Sequence, residues 1–166
     1  VLLIDGTKGV EVGTERVWEE LVKRSLPTFI FVNKMDKENV KFDEVIDEIH
    51  EKLSKKAIPF ALEVGGTNNF KGYVKVVDKE FVDLKGNVSE APAEVLDKIE
   101  EIYGQLMEIA AEADEELMMK FFDTMELDKE EVIRGLKLGV SNGEIRVLCN
   151  RECLMLSVWR LQAQKN

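Results

Sequence analysis

Cysteine is scarce: Cys149 and Cys153 are the only two among 166 residues. One pair makes no disulfide framework. A zinc site needs more ligands than two thiols and a lone histidine, His50, far off in the chain. The expectation is two reduced, buried thiols of the kind cytoplasmic proteins carry, with no metal. Long apolar runs are missing too, and the longest are strand-sized, which excludes a membrane span. No basic-then-apolar leader opens the chain, so nothing signals secretion. It begins instead on Val1-Leu2-Leu3-Ile4-Asp5, without an initiator Met, and reads as the middle of a domain. Basic residues are short as well: 23 Lys and Arg face 33 Asp and Glu, a formal net charge of −10. Affinity for nucleic acid comes mainly from cations neutralising phosphates, so no direct nucleic-acid binding is expected. A protein partner with a basic face suits this surface better. Internal repeats and low-complexity segments are absent.

What is present is enough hydrophobic sequence, 45% of residues, to build a core for one domain or a domain with a small subdomain. Val1 to Ile4 reads as a buried parallel strand running into the Asp5-Gly6 turn. Thr14 is placed to cap a helix in which Val17, Trp18, Leu21 and Val22 recur at helical spacing. Pro27 breaks the chain, and Thr28 to Val32 is a second buried strand. Phe42, Val45, Ile46, Ile49 and Leu53 form one face of the next helix. This is the βαβ grammar of an open parallel sheet. The character then changes. Ile58 to Val64 alternates like one strand with a wet face. Phe70 to Val77 and Phe81 to Leu84 read as further strands, and Lys85-Gly86-Asn87 closes the block. Three helices follow: a stripe from Val95 through Ile99, Ile102, Leu106 and Ala110 to Ala113; a helix capped by Asp114; and one opened by an Asp128–Glu131 capping box and ended by Gly139 or Gly143. Ile145 to Cys149 is a strand returning to the first sheet.

Asn33-Lys34-Met35-Asp36 follows the second parallel strand, where open α/β sheets bind ligands. Its chemistry matches guanine. The Asp36 carboxylate accepts two hydrogen bonds from the N1 and N2 donors, a pair adenine does not present. Asn33 bonds loop backbone and base, and the Lys34 stem lies over the purine face. Such a site rejects the wrong base because buried polar groups would be left unpaired.

Val10-Glu11-Val12-Gly13-Thr14-Glu15-Arg16-Val17-Trp18 and Phe29-Ile30-Phe31-Val32-Asn33-Lys34-Met35-Asp36-Lys37-Glu38-Asn39 closely resemble the bacterial elongation factor G family, over roughly residues 1–149. Phe70-Lys71-Gly72 and the run from Ala110 to Met118 resemble it too. The resemblance implies an α/β fold: a partial P-loop-GTPase-type parallel sheet with an inserted α+β subdomain, often called G-prime. Residues 1–58 would be the C-terminal part of the GTPase-like domain, 59–140 the insert, 141–149 the returning strand and 150–166 an unrecognised tail. It also implies a cytoplasmic, ribosome-associated factor that couples GTP hydrolysis to translocation and meets the ribosomal stalk protein. The departures matter. The phosphate loop G-x-x-x-x-G-K-[ST] and the Mg²⁺-placing D-x-x-G-H segment do not occur here and would lie before Val1. No catalytic residue is therefore assigned, GTP or GDP binding is expected to be weak or absent, and Mg²⁺ is expected only in a full-length parent. Asn150-Arg151-Glu152 stands where a Gly-Ser-Ala loop is usual, and a reading-frame change would explain the tail. The competing readings are a non-catalytic protein-interaction module or decayed remnant of such a factor without useful GTP binding, and a fragment of a related ribosome-protecting GTPase.

Other residues read more plainly. His50, among Glu48 and Glu51, reads as a solvated surface histidine. Met118, Met119, Phe121, Phe122 and Met125 read as core. Asp97, Glu100, Glu101, Glu108, Glu112 and Glu116 read as a solvated helix face, which the resemblance would turn toward the stalk. Trp159 would pack a terminal helix or lie in a non-native tail.

Overall fold

The computed structural model describes residues 1–34, 37, 40–65 and 71–149. In chain order these form β1 (Leu2–Asp5), α1 (Val12–Lys23), β2 (Phe29–Asn33), α2 (Phe42–Lys52), β3 (Ala57–Pro59), β4 (Ala61–Val64), β5 (Gly72–Lys75), β6 (Glu80–Asp83), β7 (Val88–Glu90), α3 (Ala93–Glu112), α4 (Glu115–Thr124), α5 (Lys129–Ser141) and β8 (Arg146–Cys149). Two four-stranded sheets result. One has the order β1-β2-β8-β3, all pairs parallel; the other is the antiparallel meander β4-β5-β6-β7.

Alternation along β2 explains the first core. Ile30 and Val32 are fully buried and pack with Leu2 and Ile4 of β1, Trp18 of α1, and Val45 and Ile49 of α2. The other face of this sheet is covered unevenly. Val147 packs with Ala61, Tyr73 and Val82 of the meander, whereas Leu3 is 61% exposed. The first strand is thus buried on one face only, not on both as its unbroken apolar run suggests. A run of like residues carries no period and cannot say which face is covered. On α1, likewise, Trp18 and half-buried Leu21 face inward while Val17 and Val22 remain exposed.

The alternating stretch from Ile58 to Val64 is not one strand. Phe60 divides it between the two sheets: its N–H donates to the Leu148 carbonyl at 3.4 Å, and its own carbonyl accepts from the Val76 N–H at 3.0 Å. Pro59, which has no N–H, is accommodated on the edge strand β3. The chain leaves the parallel sheet at this point. It returns at β8, which lies between β2 and β3 and pairs Val147 with both Phe29 and Ile58. Lys85-Gly86-Asn87 does not close the meander but turns it into β7. Asp83 Oδ1 accepts from the N–H groups of Lys85 and Asn87, each at 2.8 Å, and Gly86 takes φ +84. All three residues of β7 are exposed, so no apolar alternation announced the strand.

Helices α3, α4 and α5 pack on the meander around Ile99, Leu106, Leu117, Val132 and Leu136. Asp114 caps α4 by accepting from the N–H groups of Glu116 and Leu117, and Asp128 with Glu131 forms a complete capping box on α5. The α5 helix runs through Gly139 to Ser141, and Gly143 at φ +72 turns the chain toward β8. The α1 helix begins earlier than expected. Its N-cap is Glu11, with no side-chain cap bond, and Thr14 lies inside the first turn.

Candidate functional site

The carboxyl ends of β1 and β2 lie side by side, with Asp5 opposite Asn33 in the parallel register. The Gly6 N–H donates to the Asn33 carbonyl at 2.8 Å, which extends the pairing one step beyond the strands. The chain then folds back tightly: the N–H groups of Lys8 and Gly9 both donate to the Asp5 carbonyl at 2.9 Å. Gly9 takes φ +66, and a Cβ there would run into the Glu48 carboxylate. Glu48 of α2 anchors this turn by accepting from the Val10 N–H at 3.1 Å, while Lys52 bridges Glu48 at 2.5 Å and the Val10 carbonyl at 3.3 Å. The Lys52 ammonium holds the Glu48 carboxyl below its ordinary range.

Lys34 follows β2 at φ +62, a left-handed conformation that costs a residue with a Cβ roughly 1–2 kcal/mol. Its ammonium lies 2.6 Å from Asp5 Oδ2. Asp5 Oδ1 accepts from the Thr7 N–H at 3.0 Å and the Thr7 hydroxyl at 2.7 Å. The Lys34 bond, followed by those from Thr7, lowers the Asp5 carboxyl to about 2. A depressed carboxylate contributes stability above its unfolded value, here 3.8, and that contribution is lost as the pH falls through about 2.

Of the three residues expected to read a base, Asn33 and Lys34 stand at this strand end, and Asp36 lies outside the described residues. Glu152, Trp159, Cys153 and the Cys149 side chain also lie outside them. Asp5, which meets Lys34 at this strand end, is not singled out by the sequence because Asp5-Gly6 reads as a turn. The signal available was the Asp-x-Thr spacing that lets a carboxylate bond the N–H two residues on. Among the described residues no group of three or more His, Cys, Asp or Glu is placed to hold a metal ion, and no helix is long and apolar enough to cross a membrane. The arrangement supplies backbone and side-chain polar groups at a sheet edge rather than a nucleophile paired with a base.

Two other expectations change. His50 is half-buried, not solvated, and its Nε2 lies 2.7 Å from the Ala57 carbonyl, joining α2 to β3. Met118 and Phe121 are half-buried, but Met119, Phe122 and Met125 are 65%, 73% and 66% exposed. The α4 helix buries Leu117 and packs Phe121 against the core, while its Met119 and Phe122 face outward. Asp97, Glu100, Glu101, Glu108, Glu112 and Glu116 are all exposed. Three of them are paired, Glu100 with Lys79, Glu112 with Lys56 and Glu116 with Arg134.

Residues 1–135 match the model of the family described as the elongation factor Tu GTP binding domain. The fold is also similar to a solved structure from Thermus thermophilus, with a TM-score of 0.78 and 21% identity, over 90% of this chain and 23% of that one. The chain therefore spans about a quarter of that protein's length.

Proposed function

Because the chain belongs to the family of the elongation factor Tu GTP-binding domain, we propose that it carries the guanine-reading part of a translational GTPase of the elongation factor G kind. The observation behind this reading is the end of β2: Asn33 and left-handed Lys34 stand at the carboxyl edge of a parallel sheet, where α/β folds bind ligands. Asn33 and Lys34 contact the base and its face, and Asp36 selects guanine. In this reading residues 59–140 form the inserted G-prime subdomain between β3 and β8, and the exposed acids of α3 and α4 face a ribosomal stalk protein. The factor is cytoplasmic and ribosome-bound, and this acidic part makes no direct contact with nucleic acid.

These 166 residues contain no G-x-x-x-x-G-K-[ST] loop. The chain alone is therefore expected to bind GDP weakly and to need further sequence for phosphates and Mg²⁺. Calorimetric titration with GDP and ADP tests the base assignment. GDP is expected to bind and ADP not, with Asp36→Ala abolishing the preference; equal binding of both nucleotides refutes it. Phosphate release from GTP is expected to stay at the buffer level, and turnover that follows the protein through purification would contradict the missing-loop argument.

A second reading rests on the exposed Met119 and Phe122 of α4 and Met125, its C-cap. Contiguous exposed apolar residues mark interaction surfaces. In this reading the chain is a non-catalytic interaction module without useful GTP affinity, and the GDP titration returns no heat.

A further inference from the structure

Asp5 lies outside the Asn33–Lys34–Asp36 motif, yet three observations converge on it. Lys34 keeps a left-handed backbone, φ +62, although it is not glycine. Its ammonium donates to Asp5 Oδ2 at 2.6 Å. Asp5 is itself held from both sides, by Thr7 on Oδ1 and by the ladder that sets it opposite Asn33. A backbone in a sparsely populated region persists only when its surroundings over-determine it, and it points to function once observed.

We infer that Asp5 is a positioning residue of the guanine site: it pins the Lys34 ammonium so that the aliphatic stem stands ready as a wall against the purine face. This rests on the guanine reading above. Lysine has among the largest rotamer freedom of any side chain, and that freedom must be lost when the stem packs on a ring. Fixing its head beforehand moves the loss from binding to folding, which is how preorganisation raises affinity. Asp5 touches no base in this arrangement and acts through Lys34 alone. Its effect on a ligand therefore vanishes when the Lys34 ammonium is removed.

The test uses the full chain with GDP as the probe, in wild type, Asp5→Asn, Lys34→Met and the double variant. Asp5→Asn is expected to weaken GDP binding on the order of fivefold, the worth of one exposed charged pair. In the Lys34→Met background the same change is expected to do nothing further. Carbon-13 NMR of the Asp5 carboxyl supplies a readout that needs no nucleotide. It should titrate near 2 in wild type and move back toward 3.8 in Lys34→Met. That arm carries the test alone if Asp5→Asn fails to fold. An ordinary Asp5 titration in wild type, or losses that simply add in the double variant, overturns the positioning role and leaves the guanine reading standing. Absence of GDP binding, or equal GDP binding by wild type and Asp36→Ala, overturns the guanine reading and the inference with it.

Discussion

Replacing Gly135 by alanine is expected to destabilise the protein by roughly 3 kcal/mol, even though alanine is the better helix former. Gly135 lies within α5, where the helix crosses α3 so closely that backbone meets backbone. A Cβ built there overlaps the Ala110 carbonyl oxygen and stands 2.7 Å from its carbon and 2.9 Å from its Cα. No side chain can rotate away, so the helices must separate and open the contacts around Leu106 and Leu136. The gain from helix propensity is only about 1 kcal/mol, and overpacking against a fixed backbone outweighs it. Gly104 in α3 is the matched control. A Cβ there meets nothing within 4 Å, so Gly104→Ala is expected to stabilise by about 0.5–1 kcal/mol. Urea unfolding of the two variants should move the midpoints in opposite directions. A Gly135→Ala midpoint at or above wild type would show that α3 and α5 do not pack this closely.

The second large effect concerns Arg146, the first residue of β8. Only 4% of it is exposed, and no carboxylate accompanies it among the described residues. Its Nη1 donates to the carbonyls of Gly143 and Ile145, just past the end of α5, and its guanidinium stacks 5.2 Å from the Trp18 ring centre. Among the described residues its Nε has no partner, and burial pulls its pKa down from the ordinary arginine value. Taking a cation out of water costs several kcal/mol and offsets much of what these contacts contribute. Volume should therefore matter more here than charge. Arg146→Ala opens a void beside Trp18 and is expected to lose roughly 2–4 kcal/mol. Arg146→Met keeps the stem without the buried charge and is expected to stay within about 1 kcal/mol of wild type. Equal losses in the two variants would assign the stabilisation to the guanidinium itself, against this account.

Local chemistry made much of the fold legible. The α2, α3 and α5 helices each carry an apolar stripe at helical period, and Asp114 and Asp128 cap through bonds to residues two or three positions away. Such signals involve neighbours in the chain and survive without knowledge of the whole. The failures occurred where a residue answers to something distant. Phe60 splits an apparently continuous strand because its N–H and its carbonyl serve different sheets. Thr14 did not cap α1, although it is a good capping residue, because the helix already begins at Val12. Met119, Phe122 and Met125 were expected inside, but the residues that α4 turns toward the core are Leu117 and Phe121.

At the candidate site, the apolar run and its abrupt end determined that a strand stops at Asn33-Lys34, which is a statement about sequence neighbours. The pairing of β1 with β2, 24 residues farther along the chain from Asp5 to Phe29, was a matter of the sheet. Only that pairing brings the Asp5 carboxylate against the Lys34 ammonium. By itself, the sequence determined the five helices and most of the strands, though not β7 or the break between β3 and β4, because apolar periods and caps are short-range properties of a chain. Tertiary structure alone decided that β8 enters between β2 and β3, that Phe60 is the crossing point, and that Asp5 meets Lys34. Each depends on hydrogen bonds or charges from segments far apart in sequence, and no local period encodes such a partner.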